Sequence, residues 1–319
     1  MILSVTRFLL IAAATALLAL GQSASPSTII GAGYLFPAPI NVAPGQIITV
    51  FAAGVGSTLT QPVFAGAGNW PTSLAGISVT IQQGKDIPAP IYEVNPIPTC
   101  GSCGAMTAIT IQIPYGLITA CGPSLTTVCP NVVVLTDFFV SENGVAGTSR
   151  ELTPLPDRVH ILTVCDTVLS GASGYVPSSG LLCQPEVTHA DGTLVSEGRP
   201  ASVGEELVAY AAGLGATNPV VPAGQPPAQP VPTVESFTPL FTSPSFTGVV
   251  TVAPSRPGAL FTGLVPGYPG LYQINFIVPP LKSGALSCAS GAQGSVPTNL
   301  VLTVLGSSSS DNAAICVSL

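Results

Sequence analysis

Charge is scarce in this chain. Only 7% of its 319 residues are Asp, Glu, Lys or Arg, and just seven are Lys or Arg. So few basic side chains cannot build a phosphate-binding surface, which excludes nucleic acid as a partner. Two histidines, His160 and His189, are all the chain has. No Gly-x-Ser-x-Gly elbow occurs, so a serine hydrolase of that type is not in view. No loop alternates Asp and Asn as a calcium site would. After residue 20 no apolar run reaches the roughly 20 residues that a membrane-spanning helix needs. The sequence therefore assigns no catalytic residue, no metal ligand and no cofactor. A glycosidase, which can draw its two carboxylates from distant positions, stays open.

What is abundant is glycine and proline, 34 and 33 residues, set among Val, Ile and Thr. That mixture predicts many short strands joined by turns, an all-β chain. One stretch occurs twice. Gly45-Gln46-Ile47-Ile48-Thr49-Val50-Phe51-Ala52-Ala53-Gly54-Val55-Gly56 reappears 159 residues later as Gly204-Glu205-Glu206-Leu207-Val208-Ala209-Tyr210-Ala211-Ala212-Gly213-Leu214-Gly215, with five of twelve positions identical. Each copy is an apolar run of strand length closed by glycines that tolerate positive φ. Ile109-Thr110-Ile111-Gln112-Ile113-Pro114 likewise matches Ile274-Asn275-Phe276-Ile277-Val278-Pro279, 165 residues on. A looser match pairs Pro90-Ile91-Tyr92 with Ala259-Leu260-Phe261. Three matches in one order predict two copies of one fold, with Phe51 superposing on Tyr210 and Ile111 on Phe276.

The first seven residues carry one positive charge, Arg7, and an apolar run follows from Phe8 to Leu20. With the small residues after it, this pattern predicts a secretory signal over residues 1–25, cleaved after Gly21 or Ser25. An uncleaved anchor is the alternative, although the run is short for one. No cysteine follows the run, so a lipoprotein anchor is excluded. The expected product is a mildly acidic exported protein, secreted or at the cell surface, with no membrane span after cleavage. Its expected division is a β-sandwich over 26–156, a linker over 157–185 with strand character at Val159–Val164, and a second β-sandwich over 186–319. The proline-rich stretch Asn218 to Pro232 excludes a helix or central strand and is expected as a surface loop.

Three blocks in the second half carry a family resemblance. Gly267-Tyr268-Pro269-Gly270-Leu271-Tyr272-Gln273-Ile274-Asn275-Phe276-Ile277-Val278-Pro279 resembles the signature of an uncharacterised secreted bacterial domain family, abundant in acidobacteria. His189-Ala190-Asp191-Gly192 and the Gly204–Gly215 stretch resemble its other blocks, in the same order. The likeness covers 186–319 well and 41–155 more weakly. It implies exported proteins built from immunoglobulin-like (IPT/TIG-like) β-sandwich repeats, here two related by internal duplication, and no established activity. The cysteines lie outside the pattern.

Those cysteines are Cys100, Cys103, Cys121, Cys129, Cys165, Cys183, Cys288 and Cys316. An even number in an exported chain reads as structural disulfides, although eight allow 105 connectivities. Local pairing predicts Cys165–Cys183 and Cys288–Cys316, with Cys100, Cys103, Cys121 and Cys129 pairing among themselves. Cys100-Gly101-Ser102-Cys103 has the spacing of a redox motif, but it runs into β-rich sequence where such chemistry wants a helix N-terminus. A four-cysteine zinc site would need Cys121 and Cys129 more closely spaced.

His189 and Asp191 would share one face of a strand. Asp191-Gly192 is better hairpin chemistry, with Gly192 at positive φ and Asp191 capping the local backbone. His189 is then expected beside the turn, exposed and unpartnered, and His160 as a strand residue. Glu205-Glu206 is expected as a solvated strand end. Tyr92 and the aromatics of Gly267–Tyr272 are expected in the core or stacked on a sugar or a protein. The function expected is a non-catalytic structural or adhesive module with an unknown protein or glycan partner. The alternatives are a carbohydrate-binding module and a glycan-acting hydrolase. Two facing acids in a pocket would favour the hydrolase, and a shallow aromatic strip would favour glycan binding.

Overall fold

The computed structural model describes residues 27–33, 40–97, 104–119, 135–166, 183–243, 260–281, 283–294 and 296–319. The fold is all-β. Among the described residues the helical element is one 3-10 turn, Cys288–Ser290, and no helix is long and apolar enough to cross a membrane. Cys100, Cys103, Cys121 and Cys129 lie outside the described residues, so the expectation about their pairing falls there too.

The first half contains β1 (Thr28–Gly33), β2 (Asn41–Val42), β3 (Ile47–Ala53), β4 (Val63–Phe64), β5 (Ile77–Gln82), β6 (Asp86–Ala89), β7 (Ile91–Ile97), β8 (Met106–Gln112), β9 (Asp137–Glu142), β10 (Val145–Ala146), β11 (Arg150–Glu151) and β12 (Thr153–Pro154). One sheet has the order β1-β3-β8-β7-β4; a second has β10-β9-β5-β6, with β11 also on β9. The reason these segments are strands is visible in their burial. Along β5, Ile77, Val79 and Ile81 are buried while Ser78 and Thr80 are half-covered, a period of two. Ile48, Val50, Ile109 and Ile111 from one sheet meet Ile77, Val79, Ile81, Phe138 and Val140 from the other in a single core. Each such side chain contributes about 1.5–3 kcal/mol by leaving water. On the opposite face of the central pair, Thr49 and Thr110 sit across from each other with their hydroxyls 3.1 Å apart.

The second half contains β13 (His160–Ile161), β14 (Val187–Thr188), β15 (Glu206–Ala212), β16 (Val231–Pro232), β17 (Thr238–Thr242), β18 (Phe261–Leu264), β19 (Tyr272–Ile277), β20 (Ala292–Gln293), β21 (Val296–Pro297), β22 (Leu300–Leu305) and β23 (Ser310–Ile315). Its larger sheet runs β13-β15-β19-β18-β16, with β14 also on β15; its smaller one runs β17-β22-β23. Leu207, Ala209, Ile274 and Phe276 face Phe241, Leu302, Val304 and Ile315 across a second core.

The two central ladders share one register. Ile48 lies opposite Ile111, and Leu207 opposite Phe276; Phe51 lies opposite Ala108, and Tyr210 opposite Gln273. The sequence match pairs Ile48 with Leu207, Phe51 with Tyr210 and Ile111 with Phe276, and Ala108 and Gln273 stand just before its second segment. Short parallel contacts also correspond: Val42 with Pro154, and Ala201 with Val317. The looser match is displaced by one residue, because Glu93 lies opposite Thr110 while Phe261 lies opposite Asn275. The cause is a bulge between Ile91 and Glu93 that leaves Tyr92 without a ladder partner.

The stretch read as a linker with strand character supplies β13. His160 and Ile161 pair with Ala212 and Ala211, and Val159 and Ile161 join the second core. Asp157 fastens the start of this stretch. Its buried carboxylate accepts from the backbone N–H and hydroxyl of Ser307, from Ser308 N–H and from the Ser309 hydroxyl, all in the turn between β22 and β23. The two described disulfides are those expected: Cys165–Cys183 and Cys288–Cys316, each with Cα atoms 5.2 Å apart. The first closes the insertion between β13 and β14; the second ties the 3-10 turn to the end of β23.

Candidate functional site: an aromatic cleft between the halves

The halves meet through glycines and two tyrosines. Tyr272 is fully buried, and its hydroxyl donates to the Gly215 carbonyl at 2.6 Å. That commits the Tyr272 proton, so the Tyr115 hydroxyl, 3.1 Å away in the first half, is the donor between them. Burial pushes Tyr115 up to about 12, outweighing the lowering effect of its bond to Tyr272. Gln112 of β8 accepts from the Gly224 N–H at 2.5 Å and donates to the Gly45 carbonyl at 3.2 Å. A Cβ on Gly270 would lie 2.8 Å from Gln112 Nε2, Gly45 O and Ile47 Cγ1. The Gly267–Leu271 segment is thus the hairpin by which the second half seats on the first.

The same hairpin walls a cleft of about 610 Å³. Trp70, Tyr92 and the segment Ala65–Gly68 line it from the first half; Leu162, Tyr268, Pro269 and Leu271 line it from the second. Its volume lies within the roughly 300–1,000 Å³ of ordinary ligand sites. The bulge in β7 turns Tyr92 outward. Its ring packs against Trp70 at 5.1 Å and meets Phe64 edge-on at 5.9 Å. Tyr268 is 60% exposed at the rim. A recess shares Leu162, Tyr268 and Leu271 with the cleft and adds Tyr210, Val265 and Glu186. Burial, and secondarily the charge of Asp166, raise the Glu186 carboxyl above its ordinary range. Among the described residues, Glu186 is the one carboxylate lining cleft or recess.

The proline-rich loop contributes directly. Buried Gly224 packs on the first half, where a Cβ would lie 2.8 Å from Pro90 Cβ and 3.1 Å from Trp70 O. The Gly224 carbonyl accepts from Trp70 N–H, and the Pro227 carbonyl accepts from Gly267 N–H, both at 2.8 Å. The loop expected on the surface is therefore a brace between the halves at the edge of the cleft. Sequence reasoning singled out Tyr92 and the Gly267–Tyr272 aromatics, but not Trp70. It gave no sign that these belong together, because the bulge and the glycine contacts that assemble them are tertiary.

His189 differs from expectation. It is 7% exposed, Nδ1 donates to Glu205 Oε1 at 2.6 Å, and Nε2 stands 3.3 Å from the Arg199 carbonyl. Glu205 also accepts from Ser202 N–H at 2.8 Å, so it is not a freely solvated strand end. Burial raises its carboxyl, but the bonds from His189 and Ser202 outweigh that and leave it below its ordinary value. The turn itself is as read: Gly192 has φ +82, and Asp191 Oδ1 accepts from Thr193 N–H at 3.0 Å. Asp191 also pairs with Arg199 at 2.6 Å.

His160 is a strand residue held between two carboxylates. Nδ1 lies 3.1 Å from Asp311 Oδ2 and Nε2 lies 3.0 Å from Asp166 Oδ2. Carboxylates only accept, so both ring nitrogens donate and the ring is an imidazolium. Burial lowers its pKa, but the hydrogen bonds and charges of Asp166 and Asp311 carry it up to about 9. Among the described residues there is no group of three or more His, Cys, Asp or Glu side chains that could hold a metal ion. Compared with known proteins, the chain matches no family model and no curated protein.

Proposed function

We propose that this chain is an exported, non-catalytic interaction module of two immunoglobulin-like sandwiches related by internal duplication. It acts at the cell surface or outside the cell, through the aromatic cleft at the junction. The duplication reading is supported by the common register of the β3–β8 and β15–β19 ladders. The immunoglobulin-like reading is supported by strand order. With β13, β15, β17, β18, β19, β22 and β23 taken as first to seventh, the second half places its first, second, fifth and fourth strands in one sheet, which β14 and β16 extend, and its third, sixth and seventh in the other. Two disulfides suit an oxidising compartment.

The observation that carries the function is the cleft. It gathers Trp70, Tyr92 and Tyr268, large amphipathic rings of the kind enriched at contact surfaces. The rival hydrolase would need a pair of facing carboxylates, and the cleft and its recess together bring Glu186 alone among the described residues. Co-sedimentation with the insoluble extracellular material of the producing culture tests the proposal. The wild-type protein is expected in the pellet, and a Tyr92→Ala/Tyr268→Ala variant in the supernatant. Equal pelleting of both would remove the cleft from the proposal. Failure of the wild type to pellet would remove the adhesive role.

A further inference from the structure

Resting on that reading, we infer that the cleft is a binding site for a neutral glycan chain. Its lining combines ring faces with uncommitted polar tips. The Trp70 indole N–H and the Tyr92, Tyr210 and Tyr268 hydroxyls bond to no side chain or backbone group among the described residues. A sugar presents the complementary surface, a face of C–H groups edged by hydroxyls that both donate and accept. Gly66 and Gly68 on the first-half wall have no atom within 4 Å of where a Cβ would stand, so that wall is low and open for a chain to pass.

Charge selects among glycans. No basic side chain lines the cleft or recess among the described residues, and the carboxyl of Glu186 stands in the recess. An acidic sugar would meet no cation there, on a chain whose net charge is already −7. A neutral sugar hydroxyl can instead donate to Glu186.

The backbone argues against a peptide. Extended peptides draw affinity from main-chain hydrogen bonds. Four of the amides bordering this cleft are already used: Trp70 N–H by Gly224 O, Gly267 N–H by Pro227 O, Ala65 N–H by Tyr92 O and Leu162 N–H by Tyr210 O. Ring surface and side-chain donors stand beside them.

Trp70 is the only tryptophan in the chain, so its emission reports the cleft directly. The purified protein would be titrated with cello-, xylo-, manno-, malto- and chito-hexaose, and separately with oligogalacturonate and a proline decamer. A saturable change in Trp70 emission is expected with at least one neutral hexaose and none with oligogalacturonate. Tyr268→Ala, a rim substitution that leaves both cores intact, is expected to weaken that response about tenfold. Calorimetry is expected to show the same loss for Trp70→Ala. No response to any neutral hexaose overturns the glycan assignment. A response to the proline decamer in its place overturns it too, yet keeps the cleft as an interaction surface. Neutral-glycan binding that both Tyr268→Ala and Trp70→Ala leave unchanged overturns the assignment to this cleft.

Discussion

Raising the pH should loosen the second half through one side chain. His160 sits between Asp166 and Asp311, with Ile161 N–H also donating to Asp311 and Thr163 N–H to Asp166. The imidazolium ties the edge strand β13 to β23 and to the start of the disulfide-closed insertion. Its pKa rises on folding from 6.5 to about 9. A raised folded value means the stabilisation is complete below pH 6.5 and is lost as pH climbs through 9. A tenfold gain in proton affinity is worth about 1.4 kcal/mol, so the full contribution is about 3 kcal/mol. The ring is 23% exposed, and water moderates its attractions, which brings the expected loss to about 2–3 kcal/mol. Urea unfolding at intervals from pH 6 to 10 measures it. The wild type should lose that amount across the window, and His160→Gln, which carries no charge to lose, should be nearly flat. Parallel pH profiles for the two proteins would refute the reasoning.

Three further outcomes are expected. Tyr272→Phe should cost about 1–3 kcal/mol in urea unfolding, since it strips partners from both the Gly215 carbonyl and the Tyr115 hydroxyl, while Tyr115→Phe should cost about 1 kcal/mol. Gly192→Ala should cost about 1 kcal/mol, because φ is +82 in open space; Gly213→Ala should cost at least twice that, because its Cβ would also meet the Arg158 carbonyl. Equal melting points for those two variants would count against the junction geometry. His189→Ala should cost about 2 kcal/mol, because it removes the partner of Glu205 from a covered site; a cost below about 0.5 kcal/mol, the range of ordinary surface changes, would return His189 to the solvent.

How much of this was legible depended on whether the signal was local. Strand character is local: Ile77-Ser78-Val79-Thr80-Ile81 alternates in sequence and in burial. The Asp191-Gly192 turn and the two short-range disulfides are local as well, and the structure has all three. The register match was legible because matching segments compare the chain with itself, so a recurring spacing stands in for contact. His189 was misread because its neighbours in sequence form a turn, while its partner Glu205 lies 16 residues on, at the start of the next strand. Its one clue was Glu205 itself, the acid that stands where the first half has Gln46. The environment of His160 was hidden for the same reason, with Asp311 lying 151 residues away. The cleft is the extreme case, since each of its rings reads as an ordinary strand or loop residue.

The shared glycines explain why a site can exist at this junction at all. In the first half, Gly56 closes its strand against its own half, where a Cβ would meet Thr107 Oγ1 at 2.8 Å. In the second half, the matching glycines receive the chain as it arrives. Gly215 lies against the Pro156 carbonyl and Gly213 against that of Arg158, and Arg158 N–H donates to Gly213 O at 2.7 Å. Gly45 and Gly270 add to the contact, where Gly270 abuts Gly45 O and Ile47. The contacts to the Pro156, Arg158 and Gly45 carbonyls are to backbone, which cannot rotate away as a long side chain can. Two sandwiches on a loose tether would present Trp70 and Tyr268 at varying distances, and a ligand would have to supply the ordering free energy on binding. Close packing at these glycines fixes that spacing beforehand, which is what would preorganise rings contributed by two halves into one surface.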